Sequence, residues 1–227
     1  MKKEKNKDKI MKEKKQEEKP KKKDGNREII WVLVVMGVLI LSIVVTYSLI
    51  QSMKTFSSDG LTFTKEKHGN IIFYHYYYSF EKAGQVYTNN VYLRNDPREN
   101  EVPITGNGIF FYQGKANYLS INSTNLGECP DASIAVSELT KLFTNNLMEV
   151  RPATLDKTEA QEKDIRYASC ATEKDSVVVE VFEGEETKIT SNGYCYKIEV
   201  ANCEILKATE KFIVQSIVDA KIAPKTI

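Results

Sequence analysis

The sequence predicts a mixed α+β fold of the α/β class, in which an N-terminal transmembrane helix precedes one extracytoplasmic domain. Three observations lead to this prediction. An uncharged apolar segment of 22 residues runs from Ile29 to Ile50, aromatic residues dominate 71–80, and a helical pattern at 129–143 lies between two strand-like segments. We expect the domain to be β-rich in its first half and to contain a βαβ unit in its second half.

The net charge of +1 over 227 residues hides segments of very different composition. Residues 1–28 contain 13 basic and 7 acidic side chains, residues 29–51 contain none, and residues 52–227 carry a net charge of −5. We interpret 1–28 as a disordered Lys/Glu-rich cytoplasmic tail and 29–51 as a transmembrane signal anchor. A juxtamembrane linker at 52–60 and the domain itself at 61–227 follow. Nucleic acid is not an expected partner, because its binding requires a basic face.

The apolar segment is long enough to cross a membrane. As a helix its 22 residues would measure about 33 Å, against a hydrocarbon core of about 30 Å. Lysines crowd its N-terminal side, whereas Lys54 is the only basic residue in the ten positions after Ile50. The positive-inside rule therefore places the N-terminus in the cytoplasm and the large domain outside, with the lipid bilayer as a partner. The basic tail then either attracts anionic lipid or serves only as a topology signal.

Two other targeting segments share this charge pattern. A cleaved signal peptide has a shorter apolar core and a small-residue cleavage site. A type IV pilin leader also places basic residues before an apolar helix, but 23–28 does not match the usual processing motif. An uncleaved anchor is the interpretation that fits the whole segment.

Strand-like segments fill the first half of the domain. Leu61–Thr64 alternates with a period of two, and 71–80 and 86–94 are rich in aromatic or β-branched residues. Asp96 precedes Pro97 and is thereby excluded from the helical region, so the pattern breaks there. Further extended segments are expected at 102–108, 109–112 and 117–122.

The second half alternates helices with strands. Pro130 suits the first turn of a helix in which Ala132, Val136, Leu139 and Phe143 recur at helical spacing. A strand on each side completes a βαβ unit, which makes part of the sheet parallel. Strands are also expected at 177–182, 187–190 and 194–200. Helices are expected at 158–164 and after Asn202, which is placed to cap the last one.

All four cysteines lie in the last domain, where an even number predicts two disulfides. They are Cys129, Cys170, Cys195 and Cys203. Cys195 and Cys203 flank a predicted strand that would span about 26 Å, whereas bonded Cα atoms lie within about 7 Å. We therefore expect Cys129 and Cys170 each to bond to one of the other two, in either combination. A zinc site is the alternative, but no C-x₂₋₄-C pair is present.

The sequence contains no local signature of a hydrolase, a P-loop or a dinucleotide site, so we assign no catalytic residue, metal or cofactor. An aromatic stripe is the main candidate for function, because one set of rings fills the core while exposed tyrosines suit glycan or protein contact. The candidate binding surface comprises Tyr74, Tyr76, Tyr78, Arg94, Asp96 and Arg98. Ordinary core and surface packing is the alternative interpretation of these residues.

Two further features carry weaker signals. Asp96, Glu99 and Glu101 could gather a calcium ion, but the segment lacks the EF-hand pattern and also fits a solvated turn. Asn122-Ser-Thr124 is a candidate N-glycosylation site on the outer domain.

Several segments carry a resemblance to other proteins. They are the Lys/Glu-rich leader with its signal anchor, Leu93-Arg-Asn-Asp-Pro-Arg98, Cys129-Pro-Asp-Ala-Ser133 and the segment from Cys195 to Phe212. In these segments the chain resembles a group of single-pass membrane-anchored proteins of small-genome archaea. The group has no assigned activity, so the resemblance implies a lineage and a topology and no catalytic residue.

Together these features predict an extracytoplasmic binding or cell-envelope assembly module held at the membrane by one helix. Another envelope protein or a glycan is the expected partner. The alternatives are an extracytoplasmic enzyme that acts on envelope material and an accessory subunit of a membrane complex.

Overall fold

The N-terminal helix α1 runs from Gly25 to Lys54 in the computed structural model, which describes residues 25–112 and 114–222. Its segment Ile29–Ile50 has a mean hydropathy of 3.0 and is long and apolar enough to cross a membrane. The chain divides into two units, Met1–Gln51 and Ser52–Ile227. Most of the predicted cytoplasmic tail falls on residues 1–24, outside the described residues.

The predicted linker at 52–60 is wrong, because helix α1 continues to Lys54 and strand β1 (Thr55–Ser58) begins at the next residue. Phe56 pairs with Phe63 across the sheet, and their stacked rings lie 5.8 Å apart. The turn that follows has positive φ at Asp59 and Gly60, as a tight hairpin requires. The polar composition of this segment did not predict a strand, which pairs with β2 and packs Phe56 against Phe63 and Tyr74.

Four antiparallel strands form the first sheet in the order β1-β2-β3-β4. The remaining strands are β2 (Leu61–His68), β3 (Ile71–Lys82) and β4 (Gln85–Leu93). Each strand pairs with its neighbour in sequence, so this sheet is a simple meander. One of its faces is buried, with Leu61, Phe63 and Leu93 each at most 1% exposed.

The second sheet has seven strands in the order β5-β10-β11-β9-β6-β7-β8. They are β5 (Ile104–Gly106), β6 (Asn117–Ile121), β7 (Val150–Thr154), β8 (Arg166–Tyr167), β9 (Val177–Glu183), β10 (Lys188–Asn192) and β11 (Cys195–Val200). Strands β8, β7, β6, β9 and β11 are parallel to one another, while β10 is antiparallel to β11. The expected mixed fold with a parallel βαβ unit is therefore confirmed.

Helices connect and cover these strands. They are α2 (Ser123–Leu126), α3 (Ala132–Asn145), α4 (Lys157–Glu162) and α5 (Ile205–Ile222). Apolar residues of α3 and α5, including Leu139, Phe143 and Phe212, share one core with both sheets. The first sheet also contacts helix α3 through a hydrogen bond, because the side chain of Asn89 on β4 donates to the carbonyl of Asn145, 2.9 Å away. The second sheet thus has helices on one face, and its other face is partly covered by residues around Ala168.

Two local predictions are wrong for reasons that lie in tertiary contacts. Residues 109–112 form no strand, because the Ile109 N–H donates to Asp219 and the Phe110 N–H donates to Tyr196. Those partners replace the ladder hydrogen bonds that a strand would use. Asn202 lies in a turn with φ of +52° before α5 begins at Ile205, so it does not occupy the capping position.

Candidate functional site

The tyrosines predicted to form a binding surface lie on the buried face of the first sheet. Tyr74 is 8% exposed and Tyr76 is 7% exposed, and Tyr76 packs 5.6 Å from Phe63. Tyr78 packs against the same core, and its hydroxyl accepts a hydrogen bond from Asn146. The prediction of an exposed surface at these three residues is therefore wrong.

The opposite face of β3 and β4 carries the exposed rings. We define the aromatic face as Phe73, His75, Tyr77 and Tyr92, with Glu66 and Asn90 at its edge. Tyr77 is 67% exposed and Tyr92 is 42% exposed. Since side chains alternate along a strand, the same segment supplies both the buried tyrosines and this outer set.

His75 contacts several other residues of the aromatic face. Its ring is stacked on Tyr92, and its Nδ1 donates to Glu66 over 2.9 Å. Its Nε2 lies 2.9 Å from the Asn90 side-chain oxygen. The hydrogen bond from His68, with a smaller one from His75, lowers the pKa of Glu66 below its ordinary value. The face is therefore an ordered arrangement of rings and hydrogen-bonding groups.

Polar groups surround the exposed rings. Asn90 lies directly opposite Tyr77 in the strand register, and Ser79 lies opposite Thr88. The hydroxyl groups of Ser79 and Thr88 are 2.9 Å apart. The exposed surface at this end of the sheet thus combines ring faces with amide and hydroxyl groups.

The predicted charged residues form a separate cluster at the end of β4. Arg98 donates to both carboxylate oxygens of Asp96, at 3.0 and 2.5 Å, and lies over the ring of Phe56. The hydrogen bonds from Arg98 lower the pKa of Asp96, while burial and the nearby Asp96 raise the pKa of Tyr74. Arg94 approaches Asp131 at 3.6 Å. Asp96 is engaged by an arginine, an arrangement that suits an ion pair better than a calcium ligand.

The cysteines are paired as Cys129–Cys203 and Cys170–Cys195, each with Cα atoms 5.3 Å apart. This is one of the two combinations that the strand length left open, so the prediction of two non-local disulfides is confirmed. Sequence reasoning had no means to choose between them, because the choice depends on how the segment before β9 folds over the second sheet.

The Cys170–Cys195 disulfide lies in a cleft on the outer face of the second sheet. The cleft has a volume of about 490 Å³, and the polar residues that line it include Glu173, Lys174, Tyr194 and Lys197. Beside the disulfide, Glu180 of β9 is only 6% exposed. Its carboxylate accepts the N–H of Cys170 at 2.7 Å. Sequence reasoning missed Glu180, since an acidic residue within an apolar strand was its only signal.

A second polar cluster, also missed from the sequence, lies at the carboxyl ends of β6 and β7. Glu159 accepts hydrogen bonds from Ser123, Thr154 and Lys163. These bonds, the one from Lys163 first, lower the pKa of Glu159 to about 2. The Ser123 hydroxyl and the Thr154 hydroxyl both donate to Glu159, so the cluster links the ends of β6 and β7 to helix α4.

The candidate glycosylation residue, Asn122, follows β6 directly. Its N–H donates to the carbonyl of Val181, and its side-chain oxygen is buried without a hydrogen-bond partner among the described residues. A glycan would be attached to the nitrogen of the same amide, so this side chain would have to turn outward to carry one.

No family model, no curated protein and no solved structure matches this chain. Its own residues are therefore the basis of the function proposed below.

Proposed function

We propose that this protein is a membrane-anchored extracytoplasmic binding module whose aromatic face takes a neutral glycan of the cell envelope. The observation that carries the proposal is the exposed, ordered set of rings on the outer face of the first sheet. Sugar rings present C–H groups that pack on aromatic faces, and their hydroxyl groups need amide, hydroxyl or carboxylate partners. Tyr77 and Tyr92 offer the first kind of contact. Asn90 and Glu66 offer the second.

The proposed compartment depends on two independent features. The lysines that precede Ile29 favour a cytoplasmic N-terminus, which places the domain outside. All four cysteines are bonded in two pairs, as is usual in an oxidising compartment. Envelope glycans are abundant in that compartment.

Binding is favoured over catalysis by the state of the polar residues that an enzyme would use. His75 is held between Glu66 and Asn90 on a sheet face. Asp96 is held by Arg98. Both arrangements fix a side chain in place, which suits a preformed contact surface.

The test is binding of full-length protein in nanodiscs to a panel of neutral hexasaccharides and to protease-treated, lipid-extracted envelope polysaccharide. We expect saturable binding by calorimetry, and we expect Tyr77→Ala and Tyr92→Ala each to weaken it at least tenfold. Such a loss corresponds to about 1.4 kcal/mol, which is reasonable for an exposed aromatic contact.

Tyr112→Ala is the matched control, because Tyr112 has the same 42% exposure as Tyr92 and lies outside the aromatic face. The control should bind as the wild type does. Equal binding by all three variants, or binding of an envelope protein instead of polysaccharide, would reject the glycan proposal.

A further inference from the structure

The two disulfides of the domain have different surroundings. Cys129 is 7% exposed and belongs to the main core, whereas its partner Cys203 is exposed and does not line the cleft of Cys170–Cys195. Cys170 and Cys195 are both partly exposed, and both line the cleft of about 490 Å³ on the outer sheet face. A small thiol that enters this cleft therefore reaches the second disulfide without unfolding of the core.

A buried carboxylate lies beside that second disulfide. The sulfurs of Cys170 and Cys195 and a carboxylate oxygen of Glu180 all lie within 4.8 Å of one another. One bridging water, or rotation of a released thiol, closes such a distance. The group is no metal site while the disulfide is intact, because metal ligation by cysteine requires a thiolate.

Cationic groups complete the site. Lys197 lies 3.7 Å from the second oxygen of Glu180, and Lys174 lines the same cleft. Glu173, an acidic residue that lines the cleft, is paired with Arg166 at 2.6 Å. A thiolate formed there would thus lie in a cleft lined by Lys174 and Lys197, and nearby positive charge favours the thiolate.

We propose that Cys170–Cys195 is a redox-active disulfide that exchanges with extracytoplasmic dithiols, and that Glu180 is its proton acceptor. A thiolate of the dithiol attacks one sulfur and forms a mixed disulfide. The Cys170–Cys195 bond breaks, and its electron pair leaves on the other sulfur, which is then protonated. The second thiol of the dithiol, as its thiolate, then attacks the mixed disulfide. The dithiol leaves as a disulfide, and two electrons and two protons remain on the two cysteines.

The reverse direction uses Glu180 directly. The reduced cysteine gives its proton to the Glu180 carboxylate, and the resulting thiolate attacks an external disulfide. With oxidised glutathione as that disulfide, the attack breaks its S–S bond, forms a mixed disulfide and releases one glutathione thiolate, which is protonated. The second cysteine, as its thiolate, then attacks the mixed disulfide and releases the other glutathione. The products are the Cys170–Cys195 bond and two molecules of reduced glutathione. This activity is independent of glycan binding, because it uses a different sheet and a different set of residues.

The first test measures reduction of each disulfide in native full-length protein in detergent micelles. Reduced glutathione is added, free thiols are trapped with an alkylating reagent over time, and peptides are assigned by mass spectrometry. We expect Cys170–Cys195 to be reduced at least tenfold faster than Cys129–Cys203 in the same molecules. Equal rates, or faster reduction of Cys129–Cys203, would overturn the proposal.

The second test measures reoxidation by oxidised glutathione. Glu180→Gln keeps an oxygen that accepts the Cys170 N–H, so it removes the proton acceptor with little change of shape. We expect at least threefold slower reoxidation at pH 7, and the difference should narrow at pH 9, where hydroxide removes the thiol proton. Glu199→Gln is the control, since Glu199 lies on the same face of β11 as Lys197 but pairs with Lys188. A variant rate equal to that of the control would refute the role of Glu180.

Discussion

Glu210, on the last helix, accepts two hydrogen bonds from Asn95, one from its backbone N–H at 3.0 Å and one from its side-chain amide at 2.7 Å. A third bond comes from the N–H of Arg94 at 2.6 Å. Glu210 is 2% exposed. This buried carboxyl group therefore links the end of β4 to helix α5 through three hydrogen bonds.

The stability of the protein should depend on the protonation of Glu210. Burial raises the pKa of Glu210 above 4.5, although the hydrogen bonds from Arg94 and Asn95 oppose the shift. Between the unfolded and folded pKa values the folded state binds more protons, so the free energy of unfolding falls as pH rises through that window. We expect wild type to lose stability relative to Glu210→Gln from about pH 4.5 upward.

Urea unfolding of both proteins in micelles between pH 4 and pH 8 measures this difference. Glu162→Gln, which removes an exposed carboxylate from another helix, controls for the general effect of charge. Parallel curves for wild type and Glu210→Gln would show that Glu210 does not titrate in this range.

Removal of the hydroxyl group of Tyr196 should destabilise the domain. The hydroxyl accepts the N–H of Phe110 at 2.9 Å and donates to the carbonyl of the same residue. Burial raises the pKa of Tyr196 to about 12, so the group stays neutral at ordinary pH. Tyr196→Phe leaves both backbone groups without this partner, and we expect a loss of about 1–3 kcal/mol.

Thermal or urea unfolding monitored by circular dichroism provides the measurement. The matched variant is Tyr77→Phe, which removes a hydroxyl from an exposed ring and should change stability by less than about 0.5 kcal/mol. Similar values for the two variants would contradict the role given to the Phe110 contacts.

Glu159 should stabilise the protein only where it is ionised. Its pKa of about 2 lies below the ordinary value of 4.5 because of its bonds to Lys163, Ser123 and Thr154. The stabilisation is present above pH 4.5 and is lost as pH falls toward 2. Glu159→Gln should cost about 1.5–3 kcal/mol at pH 7, in the range of hydrogen bonds to charged groups.

The cost of Glu159→Gln should shrink in acid, and unfolding curves at pH 7 and pH 3 would reveal the change. Glu162→Gln again serves as the control, because Glu162 belongs to the same helix α4 and is exposed. A cost that is independent of pH would exclude the ionic part of the explanation.

The two disulfides should contribute unequally to stability. Cys129–Cys203 closes a loop of 74 residues, and Cys170–Cys195 closes one of 25. Loop-closure entropy makes the larger loop worth roughly 1 kcal/mol more, within a usual range of about 2–5 kcal/mol for a native disulfide. Unfolding of the paired serine variants under oxidising conditions compares them, and a greater loss from the smaller loop would contradict the expectation.

The sequence predicted the segment that carries the candidate surface, but it did not predict which side chains of that segment are exposed. The alternation in 71–80 indicates a strand with two aromatic faces, and both faces carry comparable rings. Tyr74 and Tyr76 point inward because Phe63 and Leu93 of the neighbouring strands lie on that side. No local pattern contains this information, so Tyr77 and Tyr92 could not be chosen in advance.

The sequence by itself determined those features that depend on residues close together in the chain. The uncharged segment Ile29–Ile50, the strand at 71–80 and the helix after Pro130 follow from composition and periodicity, which act within a few residues. The exclusion of a local Cys195–Cys203 bond also followed, because strand length alone decides it.

The tertiary structure alone decided which groups meet across long stretches of chain. It paired Cys170 with Cys195, placed Glu180 beside them, and gave residues 109–110 partners on Tyr196 and Asp219 instead of a strand. Such contacts depend on how sheets and helices pack, and many packings are compatible with the same local pattern. The two proposed sites both belong to this second class of information.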